Sequence, residues 1–162
     1  MSGPDPAIAD VARAVIDAVE HRDRRRLLDL LHDDVEFHEA PSLPYGGVTR
    51  GKQQFVDVLT RQPERSWVGT WDAVQPRPDH RSMQPRVVAT NAAEVVVMYQ
   101  QRGLNSHGES YRSPVLALYE VRDHKLFRAQ MFHFDTASLL GFLARSEVAE
   151  AVAGARRRGE QP

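Results

Sequence analysis

The sequence lacks cysteine entirely. That absence excludes disulfide bonds, thiolate metal sites and a cysteine nucleophile. The chain also has no apolar run near the roughly 18 residues that a membrane span requires. Its first residues carry an early acid and no apolar core of signal-peptide length. We therefore expect a cytoplasmic protein that does not contact a membrane.

An excess of one charge sign is also missing. The chain has 21 Lys and Arg against 22 Asp and Glu, a formal net charge of -1. No global field therefore favours nucleic acid as a partner. Neither a glycine-rich phosphate loop nor a serine-nucleophile elbow is found. The length of 162 residues suits one folded domain. We assign it to residues 1–145, with residues 146–162 as a C-terminal helix and a tail that frays from Gly154.

Three helices are predicted in the first part of the chain. Asp5-Pro6 is typical of an N-cap followed by a proline at the first helical position. Apolar side chains between Ile8 and Val19 recur at helical spacing and predict an amphipathic helix. Residues 23–34 (DRRRLLDLLHDD) predict a short second helix, and residues 52–62 (KQQFVDVLTRQ) predict a third one.

Most of the remaining chain alternates with period two, which predicts strands. A short strand at residues 35–39 and a Pro- and Gly-rich loop at 40–51 precede the third helix. Residues 66–75 are predicted as a strand that carries both tryptophans, and residues 76–85 as a loop. Further strands are predicted at residues 86–90, 94–102, 111–121 and 125–134. An Asp123-His124 turn makes the last two strands a hairpin, and residues 136–144 form a closing helix.

This order predicts an α+β fold in which helices cover one face of a sheet. A sheet bent around helices forms a cone with an apolar interior and an open mouth, which is a suitable place for a small molecule.

Three stretches resemble a known group of proteins. They are the first helix, residues 33–59 (DDVEFHEAPSLPYGGVTRGKQQFVDVL) and residues 111–143 (YRSPVLALYEVRDHKLFRAQMFHFDTASLLGFL). Together they resemble the SnoaL-like polyketide cyclases and ketosteroid isomerase-like proteins of the nuclear transport factor 2 fold. The resemblance implies a cone-shaped fold, with three N-terminal helices packed on a curved, mostly antiparallel sheet.

The last strand offers one pair of candidate catalytic residues. His133 and Asp135 flank Phe134 and therefore share one face of an extended strand, which Met131, Ala129 and Phe127 continue. The resemblance implies that an Asp at this place, with a neighbouring His, can move protons on an enolizable ring. Asp135 also directly precedes a helical segment and fits an ordinary helix N-cap.

The first strand and the loop after it offer further candidates. His38 and Glu39 face opposite sides, so one of them points into the cone, Glu39 as a base or His38 as a substrate contact. The resemblance to ketosteroid isomerases implies a general base near the end of this strand. The surroundings of such a base tune its pKa. Tyr45 can donate a hydrogen bond to an oxyanion, and the adjacent Gly46 and Gly47 give its loop freedom to close over a ligand.

Aromatic residues are the candidate substrate-binding set. Trp67 and Trp71 lie four residues apart and share a face that can stack on a flat ligand. Tyr99 lies on a strand whose polar residues face either the ligand or a subunit interface. The His133-x-Asp135 spacing lacks the downstream histidine of a two-histidine, one-carboxylate metal site. We therefore expect neither metal nor cofactor.

The resemblance, together with the His133 and Asp135 pair, implies a lyase- or isomerase-type enzyme that performs acid/base chemistry on a small, apolar, polyketide-like substrate. Cyclisation, isomerisation and dehydration are all compatible with that chemistry. Two alternatives remain: a non-catalytic binding or assembly domain, and an epoxide hydrolase in which Asp135 acts with an arginine such as Arg102. The fold resemblance also implies a homodimer.

Overall fold

The computed structural model describes residues 6–159, so the predicted Asp5 cap and the last three residues lie outside the described part. Seven α-helices occur in that part: α1 (Pro6–Glu20), α2 (Arg24–Leu30), α3 (Lys52–Arg61), α4 (Trp67–Val74), α5 (Pro78–Arg81), α6 (Thr136–Ala144) and α7 (Glu147–Arg157). The strands are β1 (Leu31–Glu39), β2 (Gly47–Arg50), β3 (Arg86–Thr90), β4 (Glu94–Leu104), β5 (Ser110–Arg122) and β6 (Lys125–His133).

All six strands belong to one sheet, in the order β2-β1-β6-β5-β4-β3. Only the β1–β6 pair is parallel among these strands. The long β5–β6 hairpin turns at Asp123 and His124, whose φ angles of 51° and 59° are those of a type I′ turn. This hairpin, the α+β class and the mostly antiparallel sheet are confirmed.

The main core lies between the sheet and helices α1 to α3. Ala12, Val15 and Ile16 of α1 are buried there, because apolar residues at this spacing form one face of a helix. Phe55 of α3 packs on Phe37 of β1, with ring centroids 4.9 Å apart. A second apolar cluster, at the α6 end, surrounds residues such as Trp71, Tyr111 and Phe142. The helices thus cover one face of the sheet, as predicted.

Helix α4 lies where a strand is predicted, and that prediction is wrong. Ser66 is the N-cap, and its hydroxyl accepts a hydrogen bond from the Gly69 amide at 2.9 Å. Val68, Trp71 and Val74 are buried, and their spacing of three residues is helical rather than alternating. Trp67 and Trp71 still share a face, because residues four apart are neighbours on a helix.

Smaller differences occur at element boundaries. Strand β1 begins at Leu31, which is predicted as helical. Strand β2 and helix α5 occupy parts of the two predicted loops. Helix α7 continues through Gly154 to Arg157, with Val148 and Ala155 buried, where the sequence predicts a frayed end. Within residues 6–159, no helix combines the length and apolar character needed to cross a membrane.

A bulge in the hairpin changes which side chains of β6 face the helices. The register shifts between Glu120 and Val121, so Leu126 faces inward with Ala129 and Met131. Phe127, predicted on this face, instead packs under the Arg122 guanidinium, 3.6 Å from its ring centroid.

Candidate active site

A cavity of about 50 Å³ lies between α1, α4 and the sheet. Its walls are mostly apolar and include Phe37, Trp67, Trp71, Met83, Tyr99 and Met131. Sites for drug-sized ligands usually measure about 300–1,000 Å³. The cavity is therefore smaller than such sites, and binding of a ring compound requires side chains of its wall to move.

A carboxyl group and an imidazole face each other in this wall. Glu39, the last residue of β1, and His133, the last residue of β6, have side chains only 5% and 3% exposed. The separation between Glu39 Oε2 and His133 Nε2 is 3.7 Å, too long for a hydrogen bond. Glu39 Oε2 and both ring nitrogens of His133 have no hydrogen-bond partner. Both groups are therefore free to bond a molecule in the cavity.

The surroundings of Glu39 favour its neutral form. Burial raises the pKa of the Glu39 carboxyl above its ordinary value of 4.5, and His133 beside it only partly opposes this effect. Desolvation acts in this direction because an ionised carboxylate loses its hydration in an apolar wall. A carboxyl with a raised pKa is suited to exchange protons with a substrate.

Three buried tyrosines surround this pair and remain neutral donors. Burial raises the pKa values of Tyr45, Tyr99 and Tyr119, and the charge of Glu39 raises each of them further. Tyr45 accepts a hydrogen bond from the Trp71 indole at 3.2 Å. Its own O–H can therefore be donated to an oxygen in the cavity. Tyr45 is therefore held in the cavity wall.

The loop that carries Tyr45 is fixed by its glycines. A Cβ on Gly46 would lie 2.2 Å from the Ala40 carbonyl oxygen, and Gly47 has a φ of +98°. Only glycine accepts both constraints readily. These glycines therefore shape the loop, in contrast to the predicted freedom to close over a ligand.

Of the substrate-binding candidates, Trp67, Trp71, Tyr99 and Met131 line the cavity. His38 does not. Its ring nitrogen Nε2 lies 2.7 Å from a carboxylate oxygen of Glu36, on the other side of β1 from Glu39. The alternation of β1 places Glu39 inside together with Phe37. His38 therefore lies outside the cavity lining, and its contact with a substrate stays a prediction.

Asp135 lies outside the cavity lining, although it is a predicted partner of His133. It is the N-cap of α6 and accepts hydrogen bonds from the Ser138 amide at 2.9 Å and from the Ser138 hydroxyl at 2.7 Å. These hydrogen bonds lower the pKa of the Asp135 carboxyl. Asp135 leaves the face of His133 because β6 ends at His133 and the chain turns into the helix. The alternative interpretation, a helix cap, describes its position.

The lining also contains Gln75, Arg81 and Gln101, which are not among the predicted site residues. Gln101 of β4 faces the cavity, and its buried Oε1 has no partner. Arg81 of α5 is half-buried, lines the same cavity, and its buried Nε also has no partner. Strand alternation with Tyr99 could have placed Gln101. Arg81 lies in a segment without clear periodicity and gave no such signal.

Other predicted groupings are not assembled around the cavity. Among the described lining residues Glu39 is the single carboxylate, so the Asp-Arg-Asp arrangement of an epoxide hydrolase is not present there. Asp17 and Glu20 of α1 and His21 just after it have the spacing of a metal site but do not line the cavity. Asp17 pairs with Arg26, and Glu20 accepts the Met83 amide. They are already used in structural contacts.

Solved structures share this arrangement of helices and sheet. TerC, crystallised with polyporic acid, matches with a TM-score of 0.65 at 19% identity, over 82% of this chain and 95% of that one. A nuclear transport factor 2-like protein from Burkholderia xenovorans LB400 matches with a TM-score of 0.62 at 19% identity, over 85% and 96%. A candidate polyketide cyclase from Xanthomonas campestris pv. campestris matches with a TM-score of 0.58 at 17% identity, over 84% and 96%. The fold is therefore of the nuclear transport factor 2 type.

The sequence itself identifies the family. Residues 12–129 match the family model of the SnoaL-like domain. The chain therefore belongs to the SnoaL-like domain family, and the resemblance stated above is confirmed. None of the curated protein sequences matches the chain.

Proposed function

We propose that this protein is an enzyme that transfers protons on a small, apolar, ring-forming substrate. The observation that supports this best is the buried Glu39–His133 pair, which faces an apolar cavity and leaves Glu39 Oε2 and both His133 ring nitrogens without hydrogen-bond partners. Folded proteins rarely leave buried polar atoms unsatisfied. Perturbed carboxyl groups in a cleft are candidates for acid/base catalysis.

The proposed reaction begins with proton removal next to a carbonyl group. Glu39, as the carboxylate, takes a proton from the substrate carbon, and the electron pair moves onto the carbonyl oxygen. Neutral Tyr45 or Tyr99 donates a hydrogen bond to that oxygen. His133 exchanges protons between the intermediate and Glu39. Return of the proton to another carbon gives an isomer, while attack of the intermediate on a second carbonyl gives a ring.

The proposal assigns the proton-transfer roles to Glu39 and His133 rather than to Asp135. Asp135 does not line the cavity, and its carboxyl already binds Ser138. It stabilises α6 in this proposal. No metal or cofactor is invoked for the proton transfer, because the carboxyl, imidazole and phenol groups supply the required acids and bases.

Hydrogen–deuterium exchange tests this function without knowledge of the natural substrate. Small cyclic enones and ketones are incubated with the protein in deuterated buffer, and exchange of α-protons is followed by NMR. The wild-type protein should accelerate exchange above the buffer rate. Glu39→Gln and His133→Asn should abolish the acceleration, whereas Glu36→Gln, on the other face of β1, should retain it. Equal rates for wild type and Glu39→Gln would contradict the proposal.

A non-catalytic binding role is the second candidate, supported by the largely apolar lining of the cavity. TerC, which has a similar fold, was crystallised with polyporic acid. This compound is therefore a suitable probe. Binding of polyporic acid without any accelerated proton exchange would favour this second role.

We further propose that the protein forms a homodimer through the outer face of the sheet. Met98, Leu116 and Phe132 are paired across β4, β5 and β6 on that face. Phe132 is 50% exposed and the nearby Phe134 is 83% exposed. Exposed apolar patches of this kind mark interaction surfaces. Sedimentation at micromolar concentration should show a dimer that Phe132→Glu dissociates, and a wild-type monomer would contradict this assignment.

A further inference from the structure

Arg81 introduces a positive charge into the wall of the cavity. It lines the cavity and is also partly exposed to solvent. No hydrogen bond or ion pair of its guanidinium is found among residues 6–159, and its Nε is buried without a partner. Shielding a polar cation from water without a partner is unfavourable. An anion in the cavity would remove that cost.

The segment that carries Arg81 is fixed on two sides. The Met83 amide donates to the Glu20 carboxylate of α1 at 2.6 Å, and the Met83 carbonyl accepts the Gln100 amide of β4 at 2.8 Å. Gln84 next to it accepts a hydrogen bond from Arg102 at 2.8 Å. The backbone beside Arg81 is therefore anchored to both layers of the fold, which holds the Arg81 backbone next to the cavity.

The remaining charges of the lining leave Arg81 available for a ligand. Glu39 is the single carboxylate among the described lining residues, and it forms no ion pair with Arg81. Arg81 is the one permanently charged group of the described lining, and its field favours an anionic occupant.

We infer that the substrate is a small planar organic anion, such as a ring carboxylate, whose charged group binds Arg81 while its ring contacts Trp67 and Trp71. This inference rests on the proposed function, because it names the substrate class of the same cavity. Arginine suits this role since its planar guanidinium can donate two parallel hydrogen bonds to a carboxylate. Trp67 and Trp71 line the wall on which the ring would lie.

Benzoate and benzamide test the inference, because they share size and shape and differ in charge. Both tryptophans of the chain, Trp67 and Trp71, line the cavity, so intrinsic fluorescence reports its occupancy. We expect the wild-type protein to bind benzoate more tightly than benzamide. Arg81→Gln should weaken benzoate binding about tenfold or more and leave benzamide binding nearly unchanged, and Arg81→Lys should restore part of the preference.

Arg77→Gln is the matched control, since it removes the same charge from an exposed arginine at the start of the same helix. It should alter neither affinity. A wild-type protein that binds neither compound, or shows no preference for benzoate, would overturn the inference. Equal losses for both compounds in Arg81→Gln would overturn it as well, because they indicate a structural role.

The proposed function fails by a different result. If Glu39→Gln leaves proton exchange unchanged, acid/base catalysis is refuted. The preference for benzoate can still be measured in the Glu39→Gln variant, and so can its loss when Arg81→Gln is added to that variant.

Discussion

Replacement of Glu39 by Gln should change how stability depends on pH. The amide keeps the size of the side chain but cannot ionise. Burial raises the pKa of the Glu39 carboxyl in the folded protein above its ordinary value of 4.5. As the pH rises above that value, the unfolded chain loses this proton while the folded protein retains it. Each further rise in pH then favours unfolding, until the pH passes the pKa of the folded state.

One proton sets an upper limit on the size of this effect. A single group changes the free energy of unfolding by at most about 1.4 kcal/mol per pH unit. Below pH 4 the carboxyl is neutral in both states, and the difference between wild type and Glu39→Gln should be constant. Above about pH 4.5 the wild type should lose stability relative to the variant. The free energy of unfolding of the variant, relative to that of the wild type, is therefore expected to be higher at pH 7 than below pH 4.

Urea denaturation of both proteins between pH 3.5 and 7.5 provides the assay. The difference between the two curves isolates Glu39, because distant carboxyl groups contribute equally to both. Glu36→Gln is the control, because the pH dependence of stability that Glu36 contributes should have the opposite sign. A hydrogen bond from His38 lowers the pKa of Glu36, so its contribution to stability is present above its ordinary pKa and is lost as the pH falls.

The opposite pH dependence would contradict a raised pKa of Glu39. If the wild type gains stability over Glu39→Gln as the pH rises from 4 to 7, the carboxyl is better stabilised as an anion in the folded protein than in the unfolded chain. A constant difference over this range would show that Glu39 titrates alike in both states.

Three further predictions concern the surroundings of the site. Asp135→Ala should lower the melting temperature by removing the α6 cap yet leave proton exchange unchanged, and loss of exchange in a folded variant would restore a catalytic role. Phe142→Ala should lower the free energy of unfolding by about 3–5 kcal/mol, since its ring is 2% exposed; a loss below 1 kcal/mol in urea would contradict this packing. Gly46→Ala should destabilise the Tyr45 loop, because its Cβ would meet the Ala40 carbonyl oxygen. Unchanged thermal stability would show that the loop adapts.

Alternation along a strand predicts part of the site well. Phe37 and Glu39 lie two residues apart on β1 and both face the cavity, as period two requires. The same rule applied to Phe37 would have excluded His38. It also places Tyr99 and Gln101 on one face of β4. The rule fails at Phe127, because a bulge next to Val121 changes the register, and no local pattern announces that bulge.

Element type is harder to predict where two periods compete. Trp67 and Trp71 share a face in both a strand and a helix, so their spacing did not discriminate between the two. The Ser66 cap and the buried Val68 and Val74 favour the helix. The position of Asp135 is ambiguous in the same way. From the sequence it fits both the inward face of a longer β6 and the N-cap of α6. Only the end of β6 at His133 decides between them.

The position of Arg81 in the cavity wall depends on tertiary contacts alone. Its segment is attached through hydrogen bonds of Met83 to α1 and β4, contacts between residues far apart in the chain. Local composition therefore does not predict it.

A carbon-13 NMR titration of the Glu39 side-chain carboxyl, with Glu39→Gln used to assign the signal, decides whether this carboxyl belongs to an acid/base site. We expect a midpoint above the ordinary value of 4.5 that shifts when an anionic ring compound binds. A midpoint at or below that value, indifferent to ligand, would contradict an acid/base site in this cavity.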